Sequence, residues 1–109
     1  MTTSFPGFGR RYLVNFIAFR VELSFTAPDS LTFTGIGPDG ARGESATVQI
    51  AIQDIADEIF LVTWQEADKT TVVHIENFDQ KTIVTNITNP DLSFEQHDGT
   101  FVELEWSDT

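Results

Sequence analysis

The chain has no cysteine among its 109 residues, which removes disulfides, thiolate metal sites and thiol nucleophiles together. Cations are also scarce. Lys and Arg number 6 against 17 Asp and Glu, for a formal net charge of −11. Such an anion is repelled by phosphate backbones and acidic lipid, so no nucleic acid and no membrane surface is expected as a partner. No apolar run approaches the ~18 residues that a membrane span requires. The opening MTTSFPGFGRR lacks the cationic segment and following apolar stretch of a secretory leader, so a cytoplasmic location is expected. Low-complexity and Pro/Gly/Ser-rich linkers are missing as well, which points to one domain over 1–109. Helical patterning is nearly absent: the one candidate, 53–58, is too short and reads as a turn or a single helical turn.

What is present is apolar and aromatic. Hydrophobic residues make up 40% and charged ones 21%, the composition of an ordinary folded core rather than of a disordered chain. Ten Phe stand beside two Trp and one Tyr. Residues 1–43 balance at +1 and 44–109 at −12, which predicts one electronegative side. Phe19, Val21, Leu23 and Phe25 alternate with Arg20, Glu22 and Ser24, the period-2 pattern of a strand with one wet face. Val48, Ile50 and Ile52 repeat it, as do Val102, Leu104 and Trp106. Runs rich in β-branched and aromatic residues at 12–17, 31–34, 59–66, 70–78 and 82–88 bring the expected strands to eight. Turn chemistry separates them at 27–30, 37–40, 67–69, 79–81, 89–91 and Asp98-Gly99. Links so short exclude parallel crossovers and imply an antiparallel meander. With no helix to cover it, such a sheet buries its apolar face by closing on itself. An all-β, eight-stranded antiparallel up-and-down barrel is expected, its interior packed or holding one small ligand, with a β-sandwich as the alternative.

The stretch Phe60-Leu61-Val62-Thr63-Trp64-Gln65-Glu66-Ala67-Asp68-Lys69-Thr70-Thr71-Val72-Val73-His74, with Val21-Glu22-Leu23-Ser24-Phe25 and Thr85-Asn86-Ile87-Thr88, resembles the MoaF-like family of small lipocalin-like (calycin) barrels. That family is named for a link to molybdenum cofactor biosynthesis. A more distant similarity is to the phenolic acid decarboxylases, which share the barrel and a comparable valine–hydroxyl–tryptophan–x–glutamate run. The resemblance implies an acid/base role for the matching Glu66, and an anion-seating role for Arg42, which lies beside the matching place. The paired tyrosines of those enzymes have no counterpart: Leu13-Val14-Asn15 occupies the matching stretch and the single tyrosine, Tyr12, is displaced. That departure argues against phenolic acid decarboxylation itself.

Several residues are candidates for chemistry. Phe60, Val62, Trp64 and Glu66 share one strand face, so the Glu66 carboxylate lies in line with three large apolar groups, an environment suited to general acid/base work. A hairpin centred near Asp68-Lys69 pairs His74 close to Val62 or Thr63 and puts it on one face with Val72 and Glu76, where an imidazole can act as a base or hold a ligand. Trp64 and Tyr12 offer ring platforms, Arg42 an anion contact at a loop, and Asn86 a polar anchor if its face is the interior. His74-Ile75-Glu76 reads as H-x-E, yet the cysteine pair that completes the zinc deaminase motif is missing, and no metal or cofactor is expected. Gly35-Ile36-Gly37-Pro38-Asp39-Gly40 matches G-x-G-x-x-G without the helix that a dinucleotide site needs, so it reads as a hairpin loop.

Three functional readings follow. The first is a small-molecule-binding barrel with an apolar, aromatic pocket and a few polar anchors. The second is a cofactor-free lyase, isomerase or cyclase using Glu66 and His74. In the third, the phenylalanines simply fill the barrel. Outward apolar residues at Ile59, Leu61 and Val73 would suit a homodimer.

Overall fold

The structure, a computed structural model, describes residues 5–105. Nine strands, β1 (Arg11–Asn15), β2 (Arg20–Ala27), β3 (Ser30–Ile36), β4 (Arg42–Gln49), β5 (Ala51–Ala56), β6 (Ile59–Gln65), β7 (Thr71–Asn77), β8 (Thr82–Thr88) and β9 (Phe94–Leu104), form one antiparallel sheet in the order β4-β3-β2-β1-β9-β8-β7-β6-β5. The sheet curls into a half-barrel. The described residues contain no helix, and so none long and apolar enough to cross a membrane.

The expected eight runs become nine strands because one of them is cut. The alternating stretch through Val48, Ile50 and Ile52 is interrupted at Ile50, whose side chain is buried and whose amide donates to the Asp29 carbonyl at 2.8 Å. Before it, β4 pairs with β3; after it, β5 pairs with β6. The segment 53–58 is therefore mostly strand, not a turn, because β6 offers it a ladder that its own sequence pattern does not reveal. β4 and β5 form the two edges, and no ladder joins them among the described residues.

The second partner exchange lies in β9. Phe94 to Thr100 pair with β8, and Thr100 to Leu104 pair with β1. Asp98-Gly99, expected as a turn, sits inside this strand. A Cβ on Gly99 would lie 2.2 Å from the Asn15 carbonyl oxygen, so glycine is required by the close approach of β1 and not by a turn. Trp106, expected on the final strand, lies outside the described residues.

Alternation then sorts the side chains. Tyr12, Phe25, Phe60, Phe78 and Phe101 meet at one end of the interior with Phe5, mostly edge to face. Burying each ring stabilises the fold by roughly 1.5–3 kcal/mol before the entropy of ordering it is counted. Burial first, and then the Glu103 carboxylate, push the Tyr12 hydroxyl up to about 12. Tyr12 is thus part of this aromatic plug. Ile59, Leu61 and Val73 do face outward, half-buried, while Ile75 beside them is exposed.

On the outer face, Glu22 is 7% exposed and lies between two cations. Arg11 Nη1 reaches Glu22 Oε1 at 3.2 Å, and Arg42 grips both carboxylate oxygens, its Nη2 at 3.3 Å from Oε1. The group ties β1, β2 and β4 together. Burial would push the Glu22 carboxyl up, but the hydrogen bonds from Arg42 and Arg11 outweigh it and hold it below the usual carboxylate range.

Two outcomes follow. Gly99→Ala loses about 2 kcal/mol or more in urea unfolding, whereas Gly35→Ala, whose Cβ meets open space, stays within about 0.5 kcal/mol of the parent. Glu22→Gln loses about 1–2 kcal/mol at neutral pH. Because the folded carboxyl titrates below its ordinary value, the parent's advantage is complete above that value and vanishes as pH falls through the folded one, so the two unfolding curves converge in acid.

Candidate functional site

The aromatic plug stops short of the opposite end, and there the interior opens into a cavity of about 250 Å³. Its mouth lies where Phe19 and Gly35 are exposed. Phe16, Phe33, Trp64 and Val72 supply apolar wall, and Arg20, Glu66, His74 and Thr85 are polar residues along it.

Strand register explains the set. Inward residues of β6 run Phe60, Val62, Trp64, and the same face continues to Glu66 just beyond the strand end. Glu66 N–H donates to the Thr70 carbonyl at 2.7 Å, closing the turn into β7. Of the two partners that the hairpin near Asp68-Lys69 allows for His74, Val62 and Thr63, the ladder takes Val62. His74 pairs in turn with Thr85 on β8.

A line of polar contacts runs along this wall. The Trp64 indole Nε1–H donates to Glu66 Oε2 at 3.2 Å, so the half-buried carboxylate is anchored to the wall. The Trp64 ring lies flat against Phe33, centroids 6.0 Å apart, and presents itself edge to face to the His74 ring at 4.8 Å. His74 Nδ1 lies 3.1 Å from Glu76 Oε2, and both residues are buried. Glu76 belongs to the plugged end and His74 to the cavity, so this pair spans the boundary between them. Thr85 Oγ1 is buried with no hydrogen-bond partner. At the rim, Arg20 Nη2 donates to the Gly37 carbonyl at 2.7 Å.

Of the residues singled out from the sequence, the structure brings Glu66, His74 and Trp64 together on the cavity. It places the other three elsewhere. Arg42 lies on the outer face against Glu22, because its side of β4 points away from the interior. Tyr12 is inside but in the plug. Asn86 shares a face with Val84 as expected, but that face is the outer one, where its Oδ1 accepts from Gln96 Nε2 at 2.7 Å; Thr85 and Ile87 point inward instead.

Glu76, Thr85, Arg20 and Phe16 were not anticipated as site residues. Glu76 was legible in principle, two residues from His74 on the same strand face. Thr85 depends on the β7–β8 register, and nothing local marks Arg20. Among the described residues, no three or more of His, Asp and Glu are grouped to hold a metal ion. Of the glycine-rich segment expected as a hairpin loop, Gly35 and Ile36 end β3 and only the residues from Gly37 onward form the loop, closed by Gly37 N–H to the Ala41 carbonyl at 2.8 Å.

The fold has solved counterparts. A crystal structure from Burkholderia vietnamiensis, described as a putative beta-lactamase, is similar with a TM-score of 0.84 and 27% identity, covering 94% of this chain and 100% of that one. No curated protein matches the chain. The sequence matches the MoaF-like family over residues 8–102, a span that takes in every cavity residue named above. By that match, and by the curled antiparallel sheet that carries the cavity, the chain belongs to the MoaF-like family.

Proposed function

We propose that the protein binds a small, largely apolar molecule of about one ring in its interior cavity. The observation that carries this reading is the void itself. Three of the ten phenylalanines, Phe16, Phe19 and Phe33, line about 250 Å³ of space rather than fill it. A dry apolar cavity of ~150 Å³ already accommodates benzene, so this one suits a substituted ring. Apolar walls with a few convergent polar groups are the usual make-up of a ligand site.

The acid/base reading keeps one observation in its favour: Glu66 lines the cavity, with its carboxylate oriented by Trp64. A Glu66→Gln variant separates the two readings, since an enzyme loses turnover at unchanged affinity whereas a binder changes in affinity alone.

Native mass spectrometry of the gently purified protein is expected to show an added mass that disappears on denaturation. Gly35 provides the matching genetic test, because its Cβ position faces open space at the mouth. In ligand-detected NMR with ethylbenzene as the probe, Gly35→Phe reduces binding at least tenfold while changing stability by no more than about 0.5 kcal/mol. Equal binding by parent and variant would remove the cavity from consideration.

A further inference from the structure

We propose that His74 Nε2 and Thr85 Oγ1 together form a recognition site for a hydroxyl group, so that the cavity takes a ring molecule carrying an alcohol or enol oxygen. The proposal rests on the cavity being a ligand site and names the chemistry of its occupant.

The argument starts from the buried pair on β7. His74 is 4% exposed and Glu76 2%. We assign the Nδ1–H tautomer to His74, donating to Glu76 Oε2 at 3.1 Å; in that neutral ring Nε2 carries a lone pair and no proton. Among the described residues Nε2 has no hydrogen-bond partner. The ring is held between Trp64, at 4.8 Å, and Phe16, at 6.3 Å. Its acceptor atom is therefore fixed by packing, on a residue that lines the cavity.

Thr85 is the second, independent observation. It stands directly across the ladder from His74, is 1% exposed, lines the same cavity, and its hydroxyl has no partner. Valine has the same shape without the unpaired group, and a buried, unpaired hydroxyl weakens the folded state. Glu66, the carboxylate that lines the cavity, already accepts from Trp64.

The two atoms define a complementary ligand. Nε2 requires a donor, and the Thr85 hydroxyl can donate to an acceptor. A ketone cannot donate to Nε2, an ammonium cannot accept from Thr85, and a carboxylate meets the Nε2 lone pair with its own. A hydroxyl satisfies both atoms at once, giving its proton to Nε2 and its lone pair to Thr85.

Benzyl alcohol and ethylbenzene, nearly the same shape, test this by calorimetry on the parent, Thr85→Val and Thr85→Ser. In Thr85→Val the ratio of benzyl alcohol to ethylbenzene affinity falls at least fivefold, and the melting temperature of the empty protein rises. Thr85→Ser, which keeps the hydroxyl, retains the parent ratio. The 15N resonance of His74 Nε2 moves with benzyl alcohol and not with ethylbenzene. An unchanged ratio in Thr85→Val, or a His74 resonance indifferent to the alcohol, overturns the hydroxyl site while leaving the cavity reading intact. Failure of both probes to bind the parent overturns the cavity reading and this site with it.

Discussion

The curl of the sheet depends on a steric allowance at Gly99. There β9 passes so near the Asn15 carbonyl that any side chain would occupy the space of the oxygen, and at that place the strand leaves β8 for β1. Ile50 marks the other exchange, between the β3-paired and the β6-paired halves of a nearly continuous run. Its means are different: a buried side chain and one hydrogen bond to Asp29 hold the bend. Between these two corners the sheet wraps around its own apolar face, which gives nine strands a common interior without a covering helix.

The interior is then divided by side-chain size. Phe25, Phe60, Phe78, Phe101 and Tyr12 close one end by edge-to-face packing, and the space left over becomes the cavity. The division is not inert. Glu76 emerges among the packed rings and holds His74, whose ring turns toward the cavity. Packing on one side of the molecule thus fixes the orientation of a polar group on the other. The external cluster of Arg11, Glu22 and Arg42 supports the same strands from outside and leaves the cavity without an arginine from β4.

Much of this was legible in the sequence, and the failures have specific causes. Alternation located the strands and the inward faces of β6 and β7, because those runs are long and their turns well marked. The turn at 67–69 gave the register to within one residue, His74 near Val62 or Thr63, and the ladder puts Val62 there. A turn limited to 79–81 sets Asn86 opposite His74, whereas the ladder runs Asn77 to Thr82 and puts Thr85 there. One residue of slip reverses every face of β8, so alternation alone separates Val84 and Asn86 from Thr85 and Ile87 but leaves open which pair is inside. Asp98-Gly99 has the composition of a turn, but the glycine answers to a neighbouring backbone far away in the chain. Arg42 was assigned by family resemblance to a position that this sheet turns outward.

The length of β9 and its two partners have a consequence for how the chain reaches this state. β1 cannot gain its second neighbour until Leu104 has come to Arg11, across nearly the whole sequence. Contacts of such long range slow folding, since the loop must close before the ladder rewards it. Until then the β1–β2 hairpin presents an open edge and an uncovered aromatic face, the features that invite pairing between chains. The strongly anionic composition, −11 overall and carried by residues 44–109, opposes that association at the stage when the chain is most exposed to it.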